Sequence, residues 1–131
     1  MKLITRDTDY ALRAICFLAK EKRRLPVVRL TKALKIPKPF LRKVLQRLNK
    51  KGILKSYKGL GGGFLLAIPA DKIVLTDLIG IFQGPFSLNE CFLKKRPCPR
   101  RNICVLKKKI DRIEKYVASE LSSISIADLL K

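Results

Sequence analysis

The chain has 131 residues, which suits one domain or one small domain with an appendage. Apolar residues make up 47% of it, so a sizeable core is available and wholesale disorder is excluded. The charge is lopsided, 30 Lys and Arg against 10 Asp and Glu for a net +20, and there is no histidine; this excludes Ser-His-Asp and Cys-His nucleophile chemistry and histidine zinc sites.

Thr8 to Lys20 reads as a helix, with Ala11, Ala14, Ile15 and Leu18 on one face. Thr5 or Thr8 is its candidate cap, and Asp7 and Asp9 suit the positive end of its dipole. Leu25-Pro26 breaks the pattern. Val28 to Leu34 forms a short helix with Leu30, Ala33 and Leu34 turned inward, and Ile36-Pro37-Lys38-Pro39 makes a tight corner. Phe40 to Lys50 is strongly amphipathic. Leu41, Val44, Leu45 and Leu48 face the core; Lys38, Arg42, Lys43, Gln46, Arg47 and Asn49 lie around the other side. Gly52 suits its C-terminal cap. Residues 53–58 then read as a strand, Gly59-Leu60-Gly61-Gly62-Gly63 as a turn, and residues 64–67 as the returning strand.

This order is that of a winged helix-turn-helix: mostly α, with a small β-hairpin wing. The second helix of the pair enters the major groove, and the ribbon lies on the backbone or in the minor groove. An ordinary solvated helix mixes charge signs through i,i+4 pairs. The outer face of the third helix carries Lys38, Arg42, Lys43 and Arg47 with no acid. Residues 1–65 hold 18 Lys and Arg against 3 acids, +15 of the total +20. Such a surface calls for a polyanion, because cations that neutralise phosphates release condensed counterions. The glycine run is neither a dinucleotide fingerprint nor a Walker loop, since no helix and no Gly-Lys-Ser/Thr follows it. It reads as a wing tip that brings backbone amides to phosphate, with Tyr57 and Lys58 beside it.

Beyond Pro69, Ile73 to Phe82 holds one or two helical turns, with Thr76 as candidate N-cap and Gly84-Pro85 as the stop. From Cys104 to Leu121 a long helix carries Leu106, Ile110, Ile113, Val117 and Leu121 at spacings of 4, 3, 4 and 4, an approximate coiled-coil seam. The seam packs either on its own domain or on a second copy. The second copy is favoured, since helix-turn-helix proteins dimerise to read two half-sites. Ser122 to Lys131 reads as a short capping segment. The chain divides into a DNA-binding domain (1–84), a cysteine loop (85–104) and a dimerisation helix with its tail (105–131). No apolar run approaches the ~20 residues of a membrane span, and the N-terminus has no signal-peptide pattern. A cytoplasmic protein is expected, with reduced cysteines.

Cys91, Cys98 and Cys104 are spaced C-x6-C-x5-C, with Lys94, Lys95, Arg96, Arg100 and Arg101 among them. A zinc knuckle shows C-x2-C pairs and a nearby fourth Cys or His, and neither is present. Iron–sulfur clusters accept thiolates from irregular loops. On spacing alone, cluster, zinc and thiol switch stay open. Cys16, among Ala14, Ile15, Phe17 and Leu18, reads as a small core residue.

Three stretches carry a resemblance over nearly the whole chain: TDYALRA near the start, LRKVLQRLNKKGILKSYKGLGGGFLLA across the third helix and wing, and the three cysteines before a long helix. Together they resemble the Rrf-two (Rrf2) family of bacterial transcriptional regulators. The resemblance implies a homodimer on a roughly palindromic double-stranded operator, and Cys91, Cys98 and Cys104 holding an iron–sulfur cluster. The family's iron–sulfur regulator type supplies a histidine three residues after the last cysteine. Here that position is Lys107. The nitric-oxide sensor type supplies an aspartate from the first helix of the other subunit. The matching residue here is Asp9, which favours a four-iron (4Fe–4S) over a two-iron (2Fe–2S) cluster. The implied DNA-contacting set is Lys38, Arg42, Lys43, Gln46 and Arg47, with Tyr57, Lys58, Gly61, Gly62 and Gly63 on phosphate. Arg42 and Gln46 are the best base readers, because Arg pairs bidentately with guanine and Gln with adenine. At Arg42 the iron–sulfur regulator type carries an acid, so operator preference does not carry over. The expected function is a cluster-gated DNA-binding regulator. The alternative is a cluster-free member regulated by thiol oxidation or a small molecule. No catalytic dyad or nucleotide loop supports an enzyme, and an RNA-binding module is separable by duplex competition.

Overall fold

A computed structural model describes residues 2–88 and 104–131. The elements run α1 (Arg6–Glu21), α2 (Val27–Leu34), α3 (Lys38–Lys50), β1 (Leu54–Tyr57), β2 (Gly63–Leu66), a 3-10 turn (Ala70–Lys72), α4 (Leu75–Gln83), α5 (Val105–Ser122) and α6 (Ile126–Leu129). The expected mostly helical fold with a two-stranded wing is present.

α1 buries Ala11, Ala14, Ile15 and Leu18 as its periodicity requires. Thr5 is its N-cap residue, without a side-chain cap bond. Thr8, the other candidate cap, lies inside the first turn and is fully buried. α2 begins at Val27, one residue earlier than its pattern indicated, and Val27 joins its inner face. Val27 and Leu34 pack on the core beside buried Leu30, whereas Ala33 is exposed, contrary to expectation. Both helices end on lysines in the left-handed region, Lys22 at φ 56 and Lys35 at φ 55. Their backbone N–H groups donate to the carbonyls of Leu18 (3.0 Å) and Thr31 (2.9 Å), satisfying acceptors the helix ends leave open.

α3 has Pro39 in its first turn, where no amide donor is needed. It buries Leu41, Val44, Leu45 and Leu48 against α1 and α2. Past α3, Gly52 turns the chain at φ 82 into the antiparallel hairpin β1–β2, registered Leu54 to Leu66 and Tyr57 to Gly63. Leu25, in the α1–α2 loop, pairs with Phe64 as a further rung.

α4 begins one residue before Thr76, so Thr76 is not its cap. The N-cap residue is Val74, whose backbone N–H donates to Asp77 Oδ2 at 3.1 Å. Gln83, at the end of α4, fastens α4 to α1: its Oε1 accepts from the Thr8 hydroxyl (2.7 Å) and the Thr5 backbone N–H (3.0 Å). Its Nε2 donates to the Leu3 carbonyl at 3.2 Å.

Two apolar clusters result. The larger joins α1, α2, α3, the wing and Ile73, Leu78 and Ile126. The smaller joins Leu75 and Ile79 of α4 to Leu121, with Val117 and Ile124 at its edge. The tail therefore does more than cap α5. Ile126 is 0% exposed in the main core, and its backbone N–H donates to the Ile73 carbonyl at 2.8 Å. Ser125 caps α6, accepting from Asp128 N–H at 3.2 Å while Asp128 Oδ2 accepts from Ser125 N–H at 3.0 Å.

Candidate nucleic-acid interface and cysteine site

Burying the leucine face of α3 forces its other face outward, and Lys38, Arg42, Lys43, Gln46 and Arg47 are all exposed. These α3 residues do not all point the same way. Arg42 and Gln46 line a groove of about 540 Å³ that runs to the wing and is closed on the far side by Tyr57, Lys58 and the Gly59–Gly63 turn. Arg47 lies outside this groove, its guanidinium 5.6 Å from the centre of the Phe82 ring. At the start of α3, Arg6 stacks over Phe40 at 4.7 Å and so links α1 to the exposed helix.

The groove has one cationic wall that the periodic pattern did not single out. Arg24 projects from the α1–α2 loop and lies over the Tyr57 ring at 4.1 Å. The Arg23-Arg24 pair before Leu25-Pro26 was a signal for it, but its partner lies on a strand far along the chain. The glycines are shaped by this geometry. A Cβ at Gly62 would strike the carbonyl of Tyr57, and one at Gly63, where φ is 133, would strike the Leu25 carbonyl. The backbone can approach a ligand closely here because it already packs too tightly for a side chain.

Cys91 and Cys98 lie outside the described residues. Cys104 is the N-cap residue of α5, half-buried, with its carbonyl accepting from Lys108 N–H at 3.2 Å. The described chain reaches the segment 89–103 from beside α5, where Leu88 N–H donates to Glu114 Oε1 at 2.9 Å. Asp9 is on α1, in an ion pair with Arg13 at 3.1 Å. Among the described residues no three His, Cys, Asp or Glu side chains gather into a metal site. Lys107 is held by Asp111 at 2.7 Å, and this hydrogen bond and charge raise its pKa. A protonated ammonium has no lone pair, so Lys107 cannot take the place of a histidine ligand. Cys16 is half-buried against the core, and burial pushes its thiol pKa up against the opposing pull of Lys20.

The α5 seam is split. Leu121 is buried on α4 and Val117 packs beside it, whereas Leu106 (67%) and Ile113 (54%) are open to solvent and Ile110 is intermediate. Val105 (68%) and Tyr116 (67%) extend this open apolar face. No helix among the described residues is long and apolar enough to cross a membrane.

The Rrf2 family model, described as an iron-dependent transcriptional regulator, matches residues 4–131. An HTH-type transcriptional regulator of Aquifex aeolicus is 36% identical over 132 residues, covering 98% of this chain and 92% of that one. The HTH-type transcriptional regulator NsrR of Bacillus subtilis is 30% identical over 134 residues, covering 100% of this chain and 91% of that one. Among solved structures, CymR, the global cysteine regulator of B. subtilis, superposes with a TM-score of 0.79 at 26% identity, covering 99% of this chain and 97% of that one.

Proposed function

The chain belongs to the Rrf2 family of DNA-binding transcriptional regulators, and from that premise we propose that it reads a two-fold operator as a homodimer gated by an iron–sulfur cluster. α3 enters the major groove, where Arg42 and Gln46 read base edges. Lys38, Lys43 and Arg47 contact the flanking phosphates, and Tyr57, Lys58 and the Gly61–Gly63 backbone hold phosphate on the wing side. The observation that carries this reading is the groove between α3 and the wing, which places Arg42 and Gln46 opposite Lys58 with no acid on its lining. The open face of α5, with Leu106, Ile110 and Ile113, meets the same face of a second copy, and this pairing sets the distance between the two recognition helices.

The donor set fits a cluster. Cys91, Cys98 and Cys104 supply soft thiolates, histidine is absent, and Lys107 is an ammonium. The partner subunit's Asp9 completes the set once its ion pair with Arg13 opens. A cluster bound there supplies a redox- and nitric-oxide-sensitive centre. The protein's part is to tie the start of α5, through Cys104, to α1 of the partner, so that the state of the site biases the spacing of the two α3 helices. The test is the absorption spectrum of protein isolated without oxygen, beside its affinity for duplex DNA. A brown protein whose colour needs each of the three cysteines supports the reading, and Asp9→Ala shortens the lifetime of the colour. A colourless protein with stoichiometric zinc overturns it.

The likeness to a cysteine regulator favours a second reading, a cluster-free member controlled by thiol oxidation or a small molecule. Replacing Cys91, Cys98 and Cys104 together by alanine separates a small-molecule effector from control through the cysteines, and the anaerobic spectrum separates a cluster from thiol oxidation. Unchanged operator binding and unchanged response select a small-molecule effector.

A further inference from the structure

The tip of the wing holds a leucine among glycines, Lys58-Gly59-Leu60-Gly61-Gly62-Gly63. Gly62 N–H donates to the Gly59 carbonyl at 3.0 Å, closing a four-residue turn, and Gly61 at its third position has φ 75. Glycine is the residue that meets this requirement. Leu60 therefore occupies the outer corner of the turn and is 107% exposed, the most exposed of the large apolar side chains described. The corner is held firmly. Gly62 packs on the Tyr57 carbonyl, Tyr57 carries Arg24 on its ring, and Phe64 is paired to Leu25.

Single exposed leucines are ordinary on protein surfaces. This one stands at the apex of a fixed projection whose groove is lined by Arg24, Arg42 and Lys58. Those cations select a polyanion, and against phosphate an isobutyl group would strip water and return nothing. On the minor-groove side of a duplex, an isobutyl group buries the most apolar surface in the gap between stacked base pairs. We propose that Leu60 is a wedge that partly unstacks one base step under the wing and kinks the duplex there. The proposal rests on the DNA-binding reading above and deepens it. It makes Leu60 a determinant of sequence preference without any hydrogen bond to a base, because flexible pyrimidine–purine steps open more easily than stiff A-tracts.

Leu60 carries no charge, so its removal releases no different number of counterions. This separates it from Lys58. The probe is a duplex recovered from a randomised pool by the full-length protein, with 2-aminopurine placed in turn at each position of its flanks. Binding is followed by anisotropy across a salt series. The wild-type protein raises 2-aminopurine emission at one step on each flank. Leu60→Ala abolishes that rise, weakens binding about tenfold (about 1.4 kcal/mol) and leaves the slope of log K against log salt unchanged. Leu60→Met retains the emission. Lys58→Ala keeps the emission and lowers the slope by about one. Flat emission across both flanks in the wild type, or wild-type affinity in Leu60→Ala, overturns the wedge and leaves the DNA-binding reading standing. Failure of the intact protein to retain any duplex from the pool overturns both.

Discussion

Leu25 and Phe64 exchange both of their backbone hydrogen bonds, at 3.0 and 2.9 Å. A residue from the loop between the first two helices thus forms the outer rung of the wing. This rung and the Arg24–Tyr57 stack tie the wing to the α1–α2 loop and support a hairpin that in isolation would be marginal.

Gly63, beside that rung, combines φ 133 with a Cβ position occupied by the Leu25 carbonyl. Gly63→Ala is expected to cost about 1–3 kcal/mol in urea unfolding, with helical circular dichroism kept and duplex affinity reduced. Gly52, at φ 82 with nothing within 4 Å, is the control. Its alanine variant carries the conformational cost alone, about 1 kcal/mol. Equal losses at the two positions would show that the contact with Leu25 contributes nothing.

The tail is part of the fold. Ile126→Ala leaves a hole in the main core and should cost about 2–5 kcal/mol, as for a leucine of α3. An unfolding midpoint indistinguishable from wild type would mean that α6 is not docked in solution.

The buried Thr8 and the half-buried Gln83 form a polar pair between α1 and α4. Gln83→Leu removes the acceptor shared by the Thr8 hydroxyl and the Thr5 N–H, leaving Thr8 only the Thr5 hydroxyl at 3.2 Å, and should cost about 1–3 kcal/mol. Adding Thr8→Val recovers part of the loss, because no hydroxyl is then left facing the leucine, while the Thr5 N–H still lacks the acceptor that Gln83 gave it. The coupling is read from a double-mutant cycle, and simple additivity would contradict the pairing.

The α6 cap gives one pH dependence. Hydrogen bonds from Ser125, backbone first and side chain second, lower the pKa of Asp128 from its usual 3.8, and Lys131 adds to this. A carboxyl whose folded pKa is depressed stabilises above its unfolded value, and that contribution fades as pH falls through the folded one. Asp128→Ala should therefore unfold at lower urea than wild type at pH 7. The two midpoints should converge as the pH drops below the ordinary carboxylate range. A gap that holds constant down to pH 2 would assign the effect to something other than ionisation.

Much was legible in the sequence because one local rule governs it. The 3.6-residue period of Leu41, Val44, Leu45 and Leu48 determined which face of α3 is buried, and therefore that Arg42, Lys43, Gln46 and Arg47 are presented outward. The glycines likewise marked the wing before any contact was known. One residue mattered at two helix starts: Val27, rather than Ala33, completes the inner face of α2 with Leu30 and Leu34, and starting α4 at Leu75 places Thr76 inside the helix. Chain folding in three dimensions decided the rest. Which cations share the groove with the wing, that Arg24 stacks on Tyr57, that Gln83 joins Thr8, and that Ile126 fills the core beside Ile73 all depend on residues remote in sequence. Periodicity reports which side of an element is apolar; it carries no term for which other element that side, or the polar side opposite, will meet.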